Sequence, residues 1–339
     1  KENYVGNGAY KLANHIINEK IEFERNPLYW NDKETVINSA TFLAIENPST
    51  DVARYRAGDL DMTNYGLPPE QFAKLQKELP GEVYITRTLA TYSYELNNKK
   101  APFDNVNIRK ALNLSLDRNV ITDKVLGQGQ TPTYVFTPTY IEEGHLIQQP
   151  AYSKEPMAQR NEEAIKLLEE AGYSKANPLK FTILYNTNEN HKKVAIAAAS
   201  MWKANTKGLI DVKLENQEWK TYIDSRRAGR YDAARAGWNA DYNQATTFGN
   251  YFLSNSSNNT AKYANPEYDK AIAESYVATD AEGRAKAYAK AEEILAKDFG
   301  IVPIFNYVNP RLVKPYVKGY SGKDPQDHIY LRNLYIIKH

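Results

Sequence analysis

No cysteine occurs in the 339 residues. Disulfides, thiolate nucleophiles, cysteine-ligated zinc and iron–sulfur clusters are therefore excluded. The lack says little about compartment, because a chain of this length buries enough surface to need no covalent staples. Neither sign of charge prevails: 43 basic residues stand against 41 acidic ones, for a net +2, and they are well mixed. Nothing in that balance calls for nucleic acid or an anionic membrane as partner. No apolar run approaches the roughly 18 residues of a membrane span. The opening KENYVGNGAYKL lacks the apolar segment of a signal peptide. It reads like the interior of a domain, with Gly6 and Gly8 turning into a strand, so a chain cut from a longer one, or an unusual N-terminus, is expected.

Catalytic signatures are missing too. There is no G-x-S-x-G, Walker A, H-E-x-x-H or calcium-loop pattern. The five histidines, His15, His145, His191, His328 and His339, are scattered, with no pair three or four apart. Spacing gives no histidine metal site, and no cofactor is expected. Tryptophan is scarce, at four, but tyrosine is plentiful, at 26. Tyrosine joins a flat apolar face to a polar tip, which suits cores and also clefts for varied ligands.

Length predicts two lobes or domains. Residues 9–25 alternate as strands about a turn near Asn18, and 39–45 reads as another strand. Ser49 or Thr50 caps a helix ended by Gly58, and 67–79 is a second helix. Residues 82–97 form a strand long enough to cross between lobes. Helical character follows from about 107. A loop rich in proline and tyrosine (128–155) leads to the amphipathic helix NEEAIKLLEEAG. The most regular stretch is strand 179–186, helix 191–205, strand 210–219, helix 220–229, strand 231–238. Such alternation predicts a parallel sheet covered by helices, where ligands bind beyond the carboxyl ends of the strands. Helices at 266–278 and 281–298 precede an extended, proline-punctuated return and a strand-like end.

Several chemically loud residues fall at that sheet edge. Asp241 lies just past the third strand, Trp219 ends the second, and His191 follows the first. The run DAARAGWNADYN (232–243) sets Arg235 among small residues, where burying its charge demands a partner. Arg226, Arg227 and Arg230 lie close by. They fit either bidentate carboxylate recognition or a solvated helix end. Trp219 and Trp238 fit either core packing or a pocket wall, and His191 either a site or an exposed helix start. A hydrolase with a carboxylate pair drawn from Glu95, Asp224, Asp232 and Asp241 is the reading from another functional class.

NQEWKTYID (216–224) followed by YDAARAGWNADYNQATTF (231–248) resembles the periplasmic oligopeptide-binding proteins of bacterial peptide-import ABC transporters. NGAYKL, FERNPLYWND, YRAGDLDMTN, DRNVITDKV, IKLLEEAGY, LYNTNENHKK, RLVKPYVKGYSGKDP and the terminal YIIKH fit the same family. The resemblance covers essentially the whole chain, as the C-terminal two-thirds of a member. It implies a two-lobed α/β periplasmic-binding-protein fold: residues 1–92 in an incomplete lobe I, 93–308 in a nearly complete lobe II, and 309–339 returning to lobe I. It implies a non-enzymatic periplasmic protein that closes over an extended peptide of about two to five residues and hands it to a membrane permease. The N-terminal remainder would be a partner if supplied separately. By the same resemblance Asp241 holds the ligand ammonium. Backbone groups at Gly237, Trp238 and Asn239 pair with the ligand main chain. Trp219 and Trp238 line side-chain pockets, Arg226, Arg235 and His191 answer the carboxylate, and Glu95 faces the cleft. A murein peptide or haem is the alternative ligand. Ala90 and Asn239 replace a disulfide that many relatives carry. Ser93 and Leu126 stand where relatives often have Tyr and Lys.

Overall fold

The computed structural model describes residues 5–64 and 66–338. Lys1–Tyr4, Tyr65 and His339 lie outside the described residues. The chain divides into two units, residues 1–87 with 309–339, and residues 88–308.

In the first unit β1 (Tyr10–Ile16), β2 (Lys20–Arg25) and β3 (Ser39–Leu43) form an antiparallel sheet in chain order. Asn18 takes a left-handed conformation (φ 60°) at the first turn, a state that asparagine tolerates well. Helices α1 (Pro48–Ala57) and α2 (Pro69–Glu78) follow. The cap of α1 is Asn47, not Ser49 or Thr50. Its side-chain oxygen accepts from both their backbone N–H groups while Pro48 opens the helix. Val52, Tyr55, Leu67, Phe72 and Leu75 close a small core with Leu312.

Strand β4 (Val83–Leu96) carries the chain into the second unit. There follow α3 (Val106–Leu114), a π-helical turn over Val120–Leu126 closed by Gly127, β5 (Thr131–Pro132) and α4 (Met157–Glu170). Next come β6 (Leu179–Asn186), α5 (Glu189–Asn205), β7 (Ile210–Gln217), α6 (Trp219–Arg227) and β8 (Ala233–Asn239). The unit is completed by α7 (Thr246–Gly249), α8 (Pro266–Val277), α9 (Ala281–Lys297) and β9 (Ile301–Leu312), which leads out again. Two-residue strands β10 (Val317–Lys318) and β11 (Tyr335–Ile336) pair near the end. The closing strand expected there reduces to β11.

The sheet of the second unit has the order β5-β9-β4-β8-β6-β7. β6 runs parallel to both β7 and β8, as the β-α-β-α-β alternation predicts, and β4 runs antiparallel to β8. β6 is buried over most of its length, which fits a parallel strand covered on both faces. On one face Tyr92, Tyr94, Leu96, Ile183 and Trp202 lead a core beneath α3 and α5. On the other Phe136, Phe248, Tyr251, Phe252, Tyr268 and Leu295 form a second core beneath α8 and α9.

Candidate functional site

The site is built on β8. Its register with β4 runs from Leu96↔Ala233 to Ala90↔Asn239, whereas its ladder with β6 ends at Leu184↔Ala234. From Ala236 to Asn239 the β6-side edge of β8 has no strand partner among the described residues. Ala90 and Asn239, which stand where many relatives are expected to carry a disulfide, are cross-strand neighbours. Strand alternation sends Arg235 and Gly237 to one face, and Ala234, Ala236 and Trp238 to the other.

On the first face the Arg235 guanidinium donates to the Tyr307 hydroxyl at 2.5 Å and sits 5.1 Å from the Tyr92 ring centre. It also lies 3.4 Å from Asn186 Oδ1, a long contact. Tyr92 stacks on Phe305 at 4.7 Å. The Tyr222 hydroxyl donates to the Arg235 carbonyl. A Cβ at Gly237 would lie 2.9 Å from Arg235 Nη2 and 3.1 Å from the Tyr307 hydroxyl. Any larger residue there would have to displace the tips of the Arg235 and Tyr307 side chains.

His191 joins this cluster, its ring centre 5.6 Å from that of Tyr92. Helix α5 starts at Glu189, capped by Asn188, so His191 falls in the first turn and is buried, not at an exposed helix start. Its Nε2 has no hydrogen-bond partner among the described residues. Burial, reinforced by the Arg235 charge, holds the imidazole well below its ordinary value of 6.5.

On the second face Glu95 is fully buried and receives hydrogen bonds from Arg226 Nη2 (3.0 Å), the Tyr251 hydroxyl (2.6 Å) and the Thr260 hydroxyl. Arg226 Nη2 also lies 3.2 Å from the Tyr251 hydroxyl and 3.0 Å from Thr260 Oγ1. The negative charge of Glu95 holds Arg226 protonated against its burial. Arg226 is thus neither a solvated helix end nor open to the surface. It neutralises a buried carboxylate. The Tyr251 ring in turn packs edge-on against Trp238 at 4.8 Å, so the ion pair buttresses the tryptophan.

Trp238 is half-buried, and its indole N–H donates to Thr247 Oγ1 at 3.2 Å. Asp241 is exposed, just beyond β8. Trp219 does not end β7. That strand stops at Gln217, and the Glu218 side chain caps the next helix by accepting from the N–H groups of Lys220 and Thr221, which makes Trp219 its first residue. Trp219 is 56% exposed and stacks on Tyr222 at 5.8 Å. Of the acids weighed for a hydrolytic pair, Glu95 is tied to Arg226. Asp232 binds Lys100 and the Thr182 N–H, and Asp224 lies exposed on α6. Among the described residues no group of three or more histidine or acidic side chains is placed to hold a metal ion. Sequence reading missed Tyr92, Thr247, Tyr251, Thr260 and Tyr307. The only signal for the three tyrosines was the abundance of that residue, and the two threonines carried none.

Two outcomes follow. Arg226→Met leaves Glu95 buried and unpaired, and urea unfolding should show a loss of about 3–5 kcal/mol. Adding Glu95→Leu should restore part of it, and a single-variant loss below about 1 kcal/mol would contradict the pairing. For His191, the unfolded chain takes up a proton below about pH 6.5 that the folded chain refuses. Stability therefore falls on acidification through that window, by at most about 1.4 kcal/mol per pH unit. Thermal melts from pH 7 to pH 5 should show a steeper loss for wild type than for His191→Phe; parallel profiles would refute it.

Residues 1–260 match the family described as bacterial extracellular solute-binding proteins, family 5 Middle. The periplasmic oligopeptide-binding protein OppA of Haemophilus influenzae is 97% identical over 339 residues, all of this chain and 63% of that protein. The chain thus spans less than two thirds of the length of that curated relative. A crystal structure of Haemophilus influenzae OppA in complex with RPPGFSPFR matches with a TM-score of 0.95 at 96% identity, over 99% of this chain and 66% of that one. The Escherichia coli murein tripeptide binding protein MppA matches with a TM-score of 0.93 at 43% identity, over 100% of this chain and 66% of that one. The mixed α/β fold described here is shared with these structures, and the chain belongs to family 5 of the bacterial extracellular solute-binding proteins.

Proposed function

We propose that this chain is the larger part of a periplasmic protein that binds short peptides along β8, without chemical change, for delivery to an ABC permease. The observation that carries this reading is the edge of β8. Its ladder with β6 stops at Ala234 while its ladder with β4 continues to Asn239. An extended peptide adds there as a strand, its main chain meeting the backbone of Gly237, Trp238 and Asn239. Beyond the strand the exposed Asp241 carboxylate receives the ligand ammonium. Arg235 and the buried His191 answer the ligand carboxylate, and Trp238 and Trp219 wall the side-chain pockets. Glu95 and Arg226 act from behind, by holding Trp238 through Tyr251.

Such recognition uses what all peptides share, a backbone and two charged ends, and leaves side chains to water-filled space. The relative's ligand RPPGFSPFR has nine residues, so we propose no upper limit at five. The likeness to the murein tripeptide binding protein supports the same main-chain mode for a more specialised peptide. The remaining third of the protein is a further partner in assembly.

The test is calorimetry on the full-length protein that carries this chain. Asp241→Asn should weaken RPPGFSPFR binding at least about thirtyfold, the lower end expected for truncating one partner of a desolvated charge pair. Unchanged affinity would remove Asp241 from the site.

A further inference from the structure

We infer that Thr247 is a positioning residue for amine recognition: one hydroxyl that fixes both the Trp238 indole and the Asp241 carboxylate. Thr247 is buried in the short helix α7. Its Oγ1 accepts from Trp238 Nε1 at 3.2 Å and from the Asp241 backbone N–H at 3.2 Å, and it donates to Asp241 Oδ2 at 3.3 Å. A hydroxyl has one proton and two lone pairs. All three are engaged, and all at the end of β8 and the turn that leaves it. An aspartate side chain has several rotamers, each placing its charge differently. The bond to Oδ2 favours one of them.

The threonine is itself held. The neighbouring Thr246 hydroxyl donates to Gln244 Oε1 at 2.8 Å, so the Tyr288 hydroxyl, 2.7 Å away, donates to Thr246. Gln244 Nε2 donates to Glu143 at 3.0 Å, and Glu143, also paired with Arg284, sits at a left-handed φ of 64°. The Ala245 N–H donates to the Glu142 carbonyl at 3.0 Å. Two residues on, a Cβ at Gly249 would lie 2.7 Å from Ile272 Cδ1, so α7 packs closely against α8. The hydroxyl of Thr247 is thereby presented from a rigid base, as precise sites require.

This inference rests on the assignment of Asp241 as the ammonium anchor, and the experiment separates the two. In the full-length protein, Thr247→Val and Thr247→Ser are titrated with RPPGFSPFR and with its N-acetylated form. Thr247→Val should lose about tenfold in affinity for the free amine and stay within about twofold for the acetylated peptide. Thr247→Ser should match wild type. Without any peptide, the Trp238 indole N–H resonance, identified by its loss in Trp238→Phe, should move upfield in Thr247→Val and return in Thr247→Ser. Equal losses for both peptides, an unchanged affinity, or an unmoved indole resonance would overturn the positioning role. Wild-type protein that binds both peptides equally would remove the Asp241 assignment, and the orienting role with it.

Discussion

Four of the seven residues of β8 are alanine or glycine, and the strand cannot fill the space around it with its own side chains. Neighbours fill it instead, differently on each face. On one face the Arg235 guanidinium folds back beneath Gly237, against Tyr307 and Tyr92. On the other, Tyr251 lies between the Glu95–Arg226 pair and Trp238. Because these fillings are polar as well as aromatic, they are directional, and they fix the strand more tightly than apolar packing of the same volume would.

That constraint explains why so much charge lies inside this unit. Glu95 is inside because Arg226 and two hydroxyls meet it, and Arg226 is inside because Glu95 does. His191 is inside because its imidazole stays neutral beside Arg235. A buried ion pair is weak evidence for stability. Its use here is geometric, since it holds the Tyr251 ring against the Trp238 indole. Asp241, by contrast, is exposed, and the Thr247 hydroxyl bonds its carboxylate. The arrangement is a rigid floor with an oriented carboxylate at the end of the strand.

The alternation of strands and helices from 179 to 238 was legible in the sequence, because period-two and period-3.6 patterns there are clean and glycine marks the stops. Arg235 was legible as a charge in need of a partner, since small apolar neighbours on its own strand offer none. The partners were not. Tyr307 comes from a strand 72 residues later, and Glu95 meets Arg226 across 131 residues. No local pattern encodes such distances. Trp219 was misplaced by two residues of strand because Glu218 reads as one more alternating charge until its capping bonds are seen. Thr247 carried no signal, since a threonine after a turn is ordinary and its importance lies in what its three hydrogen-bonding positions touch.

The most direct test is hydrogen–deuterium exchange of the full-length protein with and without RPPGFSPFR, resolved to single backbone amides. Peptide addition along β8 predicts slowed exchange concentrated at the amides of Gly237 and Asn239, which alternate with the β4-facing amides of Trp238 and Ala240 and so point to the open edge, with little change on the paired stretch of β6 and β7. Protection that spares these two amides would contradict binding at this edge.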